Sequence, residues 1–119
     1  MVLVDTSVWV THLRRGENAL KALLEEGKVA CHPYIIGELA CGNLTNRAEI
    51  LGLLQALPQA TVAEHEEVLR FVDIHRLMGV GLGYVDVHLL ASARLTLIPL
   101  WTEDARLHDA AEKLGIAFC

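Results

Sequence analysis

The feature that most constrains this chain is a join near its start. Val2, Leu3 and Val4 form an uninterrupted apolar run that stops at Asp5, Thr6 and Ser7 and resumes at Val8, Trp9 and Val10. A short apolar run of this kind reads as a strand buried on both faces. The polar residues that end it are helix-capping types, so a helix is expected to begin almost at once, near Ser7 or Val8. A strand that feeds directly into a helix belongs to a sheet joined by helical crossovers. In such sheets ligand chemistry collects at the carboxyl edge of the strands, and Asp5 stands at that edge.

The remaining sequence keeps alternating strand and helix signals. Residues 8–13 continue the first helix, which Arg14, Arg15 and Gly16 close with cations and a glycine. Residues 18–26 form a second helix with Leu20, Leu23 and Leu24 on one face, and 28–31 a second strand. Pro33 sits near the first turn of a helix that runs to Cys41. Residues 46–57 read as an amphipathic helix through Ile50, Leu51, Leu53 and Leu54. Residues 61–63 read as a strand or a linker, and 64–78 as the longest helix. After the glycine-rich stretch 79–83, residues 84–96 form a very apolar helix interrupted by Asp86, His88, Ser92 and Arg94. A strong buried strand at 97–101, a helix at 104–114 and a last strand at 116–118 complete the chain. With right-handed crossovers, this order predicts a three-layer α/β/α sandwich with a mostly parallel four- or five-stranded sheet. A single domain over residues 1–119 is expected.

Composition removes several classes. With 119 residues, 53% hydrophobic, and a mean hydropathy of +0.37, the chain can fill a core and does not read as disordered. No apolar run approaches the roughly 20 residues that span a bilayer. The start lacks a basic segment followed by an apolar core and a cleavage site, so a cytoplasmic location is expected. Cys31, Cys41 and Cys119 are odd in number and widely spaced, which fits small buried hydrophobes or a free terminal thiol better than a disulfide framework or zinc site. His65 and Glu66 do not continue into a zinc-protease motif, because position 69 is Leu. The two tryptophans, Trp9 and Trp101, lie in apolar runs and read as core residues.

Four acidic residues stand out because nothing beside them neutralises them. The helical neighbours of Glu38 are Tyr34, Ile35, Cys41 and Gly42, and those of Asp86 are Leu82, Gly83, Leu89 and Leu90. Asp5 has no basic residue within several positions. A buried isolated carboxylate must take up a proton or gain an opposite charge. With Asp104, which follows the last long strand, these acids can be argued to one sheet edge, where a divalent cation would solve the problem for all of them. Hard oxygen donors without cysteine suit magnesium or manganese.

Each acid also has a plain structural reading. Asp5 and Asp104 can cap helices, Asp86 can interact with a helix dipole, and Glu38 can reach solvent at a helix edge. His88, two residues from Asp86, points elsewhere on a helix and reads as a core or partner-contact residue. The net charge of −5 argues against a nucleic-acid partner at first sight. Setting the four acids aside, however, brings the 15 acidic residues to within one of the 10 basic ones.

The order of Asp in Val-Asp-Thr-Ser, Glu in Ile-Gly-Glu-Leu, Asp opening an apolar helix and a late Thr-Glu-Asp resembles PIN-domain ribonucleases. The length and the N-terminal position of Asp5 make the chain most similar to VapC-type toxins of toxin-antitoxin pairs. That resemblance, which spans essentially the whole chain, implies an acidic pocket of Asp5, Glu38, Asp86 and Asp104, with Thr6 or Ser7 and Thr102 as hydroxyl partners. It also implies a Mg2+- or Mn2+-dependent endoribonuclease acting on structured RNA such as transfer or ribosomal RNA, usually a homodimer, silenced by an antitoxin protein. His88 departs from the small apolar residues usual after the third acid, and Glu103 competes with Asp104 for the fourth place.

On this reading, ions held by the acids polarise a scissile phosphate and activate a water for in-line attack, leaving a 5'-phosphate and a 3'-hydroxyl. Arg14, Arg15 and Arg47 follow Asp5 and Glu38 closely enough to supply phosphate contacts. The Asn46 helix is a candidate for dimer or antitoxin contact.

Two other readings remain at the sequence level. A receiver-like phosphoacceptor domain has a similar length and sheet, but it wants an acidic pair at the first strand, an Asp ending a middle strand and a lysine late in the sheet. Here Asp5 stands alone, residues 29–31 end without an acid, and Lys113 falls in a helix. The other reading is a catalytically silent protein of the same fold that acts only through a partner.

Overall fold

A computed structural model describes residues 1–118; Cys119 lies outside the described residues. Strand β1 (Val2–Val4) passes through the single residue Asp5 into helix α1 (Thr6–Arg15). The helix starts one residue earlier than expected because Asp5 itself takes the extended cap conformation, φ −70° and ψ 158°, which lets Thr6 and Ser7 join the first turn. Arg14 and Arg15 are its last residues, and Gly16, at φ 78°, turns the chain out of it.

Helix α2 (Asn18–Glu25), strand β2 (Val29–Ala30) and helix α3 (Pro33–Ala40) follow. His32 caps α3 by accepting a hydrogen bond from the Tyr34 amide on Nδ1 at 3.0 Å. Then come α4 (Arg47–Ala56), α5 (His65–His75), α6 (Tyr84–Thr96), strand β3 (Leu100–Trp101) and α7 (Ala105–Lys113).

The sheet is parallel, with order β2-β1-β3. Successive strand side chains point to opposite faces, yet Val2, Leu3 and Val4 are all buried, so both faces of β1 are covered. The layered α/β architecture is as expected, but among the described residues the strand count is three rather than four or five. The outer lanes shrink to single parallel bridges, Cys31 with Gln59 on one edge and Leu100 with Ala117 on the other. The first lies at Gln59 rather than in residues 61–63, which form no strand, and the second is all that remains of the strand expected at 116–118.

Two further boundaries differ for backbone reasons. Arg76 adopts the left-handed conformation, φ 56°, and ends α5 before residue 78, which leaves the 13-residue α6 as the longest helix. Leu97 does the same at φ 61° after α6, and the Ile98 amide bonds back to the Ala93 carbonyl at 3.1 Å. Half of the strand expected at 97–101 is therefore a helix cap. Cys31 is buried, and burial pushes its thiol up to about 11. Cys41 is exposed rather than buried.

The topology sets the position of the site. From β1 the chain moves to β2 on one side and later returns to β3 on the other, so the C-terminal ends of β1 and β3 flank the point where the strand order reverses. That crevice is where open α/β sheets place ligands. Asp5 follows β1 and Thr102 follows β3, and the Asp5 amide donates to the Trp101 carbonyl at 2.9 Å.

Candidate active site

Asp5 is buried, 7% exposed, and its Oδ2 accepts two hydroxyl hydrogen bonds, from Ser7 at 2.9 Å and from Thr102 at 2.8 Å. The Thr102 hydroxyl in turn accepts from the Asp104 amide at 3.0 Å, and the Ser7 hydroxyl accepts from the Glu103 amide at 3.0 Å. Two hydroxyls thus tie the turn after β3 to the carboxylate after β1. Asp104 caps α7, its Oδ1 accepting from the Leu107 amide at 3.0 Å.

Asp86 stands in the first turn of α6, where its Oδ2 accepts from the Gly83 amide at 2.9 Å. Its carboxyl is held above its ordinary value, first by burial and then by the charges of Asp5 and Asp104, with the Gly83 amide opposing. Three of the four acids are therefore electrostatic neighbours. The fourth, Glu38 on α3, is reached through α1, where the Thr6 hydroxyl donates to its Oε1 at 2.8 Å.

Only Asp5 is buried among the four; Asp86 is half-buried, while Glu38 and Asp104 are exposed. Desolvation therefore bears fully on Asp5 and in part on Asp86. All four carboxylates share one arrangement. One oxygen is fixed by a hydroxyl or amide, and the other has no protein donor among the described residues. Among those residues, no lysine, arginine or histidine pairs with any of the four.

Also among the described residues, no three His, Cys, Asp or Glu side chains are gathered tightly enough to form a ready ligand shell. The charges of Asp5 and Asp104 add to burial in holding the Asp86 carboxyl above its ordinary value. The all-oxygen donor set, with one free oxygen on each acid, fits a hard divalent ion such as magnesium.

Glu103 turns away from this group and accepts from the Thr11 hydroxyl at 3.2 Å. Thr11 was passed over in the sequence, although it lies one helical turn after Ser7 and so on the same face of α1. Thr6, Glu38 and Arg14 line a groove of about 730 Å³ walled by α1, α3 and residues 42–46. Arg47 reaches the end of that wall, its Nη1 donating to the Gly42 carbonyl at 3.4 Å. Arg15 is exposed at the end of α1 and does not line the groove.

His88 is buried and belongs to an aromatic cluster rather than to the acids. Its Nε2 lies 3.0 Å from the Tyr84 hydroxyl, which lies 2.6 Å from Nδ1 of His65. Its ring packs edge-on against Tyr34, with centroids 4.6 Å apart. Burial, and then His65, hold its imidazole below the ordinary value.

A parallel sheet with acids around its strand-order reversal is the frame of a nuclease-type α/β domain, and comparison of families matches residues 2–113 to the PIN domain. The chain belongs to the PIN-domain family. Within it, the chain is similar to two curated relatives, both named Ribonuclease VapC32, from Mycobacterium tuberculosis strains CDC 1551 / Oshkosh and ATCC 25618 / H37Rv. Each is 48% identical over 118 residues, which covers 98% of this chain and 95% of the relative.

Proposed function

We propose that this chain, acting as one PIN-like domain, is a divalent-metal-dependent endoribonuclease and the toxin of a toxin-antitoxin pair. The observation that carries the reading is Asp86, raised by burial and by the charges of Asp5 and Asp104, with no cation among the described residues to relieve it. Membership of the PIN-domain family and 48% identity to a relative named as a ribonuclease support the same reading.

Asp5 and Asp86 would hold the ion directly, and Glu38 and Asp104 would bind it through water or orient the attacking water. Magnesium or manganese held there supplies the charge that polarises a scissile phosphate and lowers the pKa of a water for in-line attack. Thr102 and Ser7 fix one oxygen of Asp5 and leave the other without a protein donor among the described residues, and Thr6 does the same for Glu38. Hydrolysis leaves a 5'-phosphate and a 3'-hydroxyl. Arg14 in the groove, with Arg15 and Arg47 at its margins, contacts RNA phosphates.

The substrate is structured RNA of the transfer or ribosomal kind, the partner an antitoxin protein, the working form a homodimer and the location cytoplasmic. No helix among the described residues is long and apolar enough to cross a membrane. The test is cleavage of total RNA by wild type and by Asp5→Asn, with magnesium, with manganese and with chelator. Cleavage by the wild type that needs the metal and disappears in a folded Asp5→Asn protein is the expected result. Equal cleavage by both proteins removes the assignment.

A further inference from the structure

Along α7, from its first turn to its end, lies a second cleft of about 350 Å³, closed by the end of α5 and Val80. Arg76, Arg106 and Lys113 line it against a single acid, Asp109. Three of the 10 basic residues of a chain with net charge −5 therefore share one small concavity. Among the described residues none of the three cations forms an ion pair or donates a side-chain hydrogen bond.

Arg106 is close in the chain to one of the four acids. It lies in the first turn of α7, two residues from Asp104, so their Cα atoms are within about 7 Å. A cation is disfavoured at a helix N-terminus, and an anion bound beside it would offset that cost. The Arg106 side chain also carries the loop that leads to Asp86. A Cβ on Gly81 would stand 2.7 Å from Cδ, 2.8 Å from Nη1 and 3.0 Å from Nε of Arg106. Gly81, at φ 85°, takes a backbone conformation that side-chain-bearing residues rarely adopt and lies against the guanidinium, and it is two residues from Gly83, whose amide holds Asp86. Arg106 thus links the cleft with the loop that leads to Asp86.

We propose that the cleft of Arg76, Arg106 and Lys113 seats a backbone phosphate of the RNA substrate at a distance from the scissile bond. This rests on the ribonuclease reading. Cations at this position hold the strand by charge, and they prevent a net acidic protein with an acidic centre from repelling its substrate. They are positioning residues, apart from Arg14, Arg15 and Arg47 on the groove beside Glu38.

The test measures binding of labelled transfer RNA to the cleavage-deficient Asp5→Asn protein across a range of salt. Replacing Arg76, Arg106 and Lys113 together by serine is expected to weaken binding at least about tenfold and to lower the slope of log affinity against log salt by roughly 2. The charge-keeping set Arg76→Lys, Arg106→Lys and Lys113→Arg is expected to restore both. Added to the wild type, the serine set raises KM and leaves kcat within about twofold. All three side chains are exposed, and circular dichroism checks that the fold is kept.

Unchanged affinity and salt slope in the serine set overturn the proposal while leaving the ribonuclease reading intact. Unchanged RNA binding with lost binding of poly-glutamate overturns it in favour of an acidic protein ligand. A wild type that neither binds nor cleaves RNA removes both readings together.

Discussion

The Thr102 hydroxyl donates to Oδ2 of Asp5 across 2.8 Å, joining residues 97 positions apart in the chain. The bond locks the end of β3 to the end of β1 and sets which oxygen of Asp5 remains free. Thr102→Val keeps the shape of the side chain and removes this donor together with the acceptor for the Asp104 amide. Hydrogen bonds to charged groups are worth more than neutral ones, so the variant is expected to lose about 2 kcal/mol in urea unfolding. RNA cleavage should fall with kcat rather than KM. Unchanged stability and kcat would mean that Asp5 is held by Ser7 alone.

Asp86 is a group whose charge opposes the fold. Its folded-state pKa lies above the unfolded value, so the folded protein binds the extra proton and loses stability as pH rises through the folded pKa. At neutral pH and without metal the charge is therefore destabilising. Asp86→Asn keeps an oxygen for the Gly83 amide and removes the repulsion from Asp5 and Asp104. In chelator its melting temperature should exceed that of the wild type by a few degrees, while RNA cleavage is lost. A variant that melts lower would show that the negative charge holds the site together.

The buried histidines predict acid lability. Burial, and then the neighbouring His88, lower His32 from 6.5 to about 4. Between those values the unfolded chain binds a proton that the folded chain refuses. The contribution to stability is full above about pH 6.5 and is lost as pH falls toward 4, amounting to on the order of 3 kcal/mol. His88, also lowered, acts in the same direction. Urea midpoints measured from pH 7 to 4 should fall, and His32→Asn, which retains a cap for α3, should flatten the fall. A fall of the same size in the variant would assign it to other groups.

What the sequence made legible was the pattern that lies in adjacent residues. The jump from Val4 to Asp5, the proline opening α3 and the apolar run of α6 all carry local signals, and α6 falls on the expected residues. The strand count was not legible, because Gln59 and Ala117 join the sheet through single bridges that no alternation of side chains records. Leu97 and Arg76 end helices in left-handed conformations usually taken by glycine, so their sequence gave no stop signal.

At the candidate site, the four acids stand out in the sequence by their lack of neighbouring cations, but the exposure of Glu38 and Asp104 is not visible there. The second cleft was missed because its cations come from α5 and α7, far apart in the chain. One local clue was present: Arg106 sits in a first helical turn, where acids are preferred.

If the four separated acids hold one divalent ion, removing an acid weakens its binding. Calorimetric titration of manganese into chelator-stripped protein measures this directly, comparing the wild type with Asp5→Asn and Asp86→Asn. Saturable binding in the wild type, weakened at least about tenfold in each variant, is the predicted result. A wild type that binds no manganese, or two variants that bind it as the wild type does, would contradict the account.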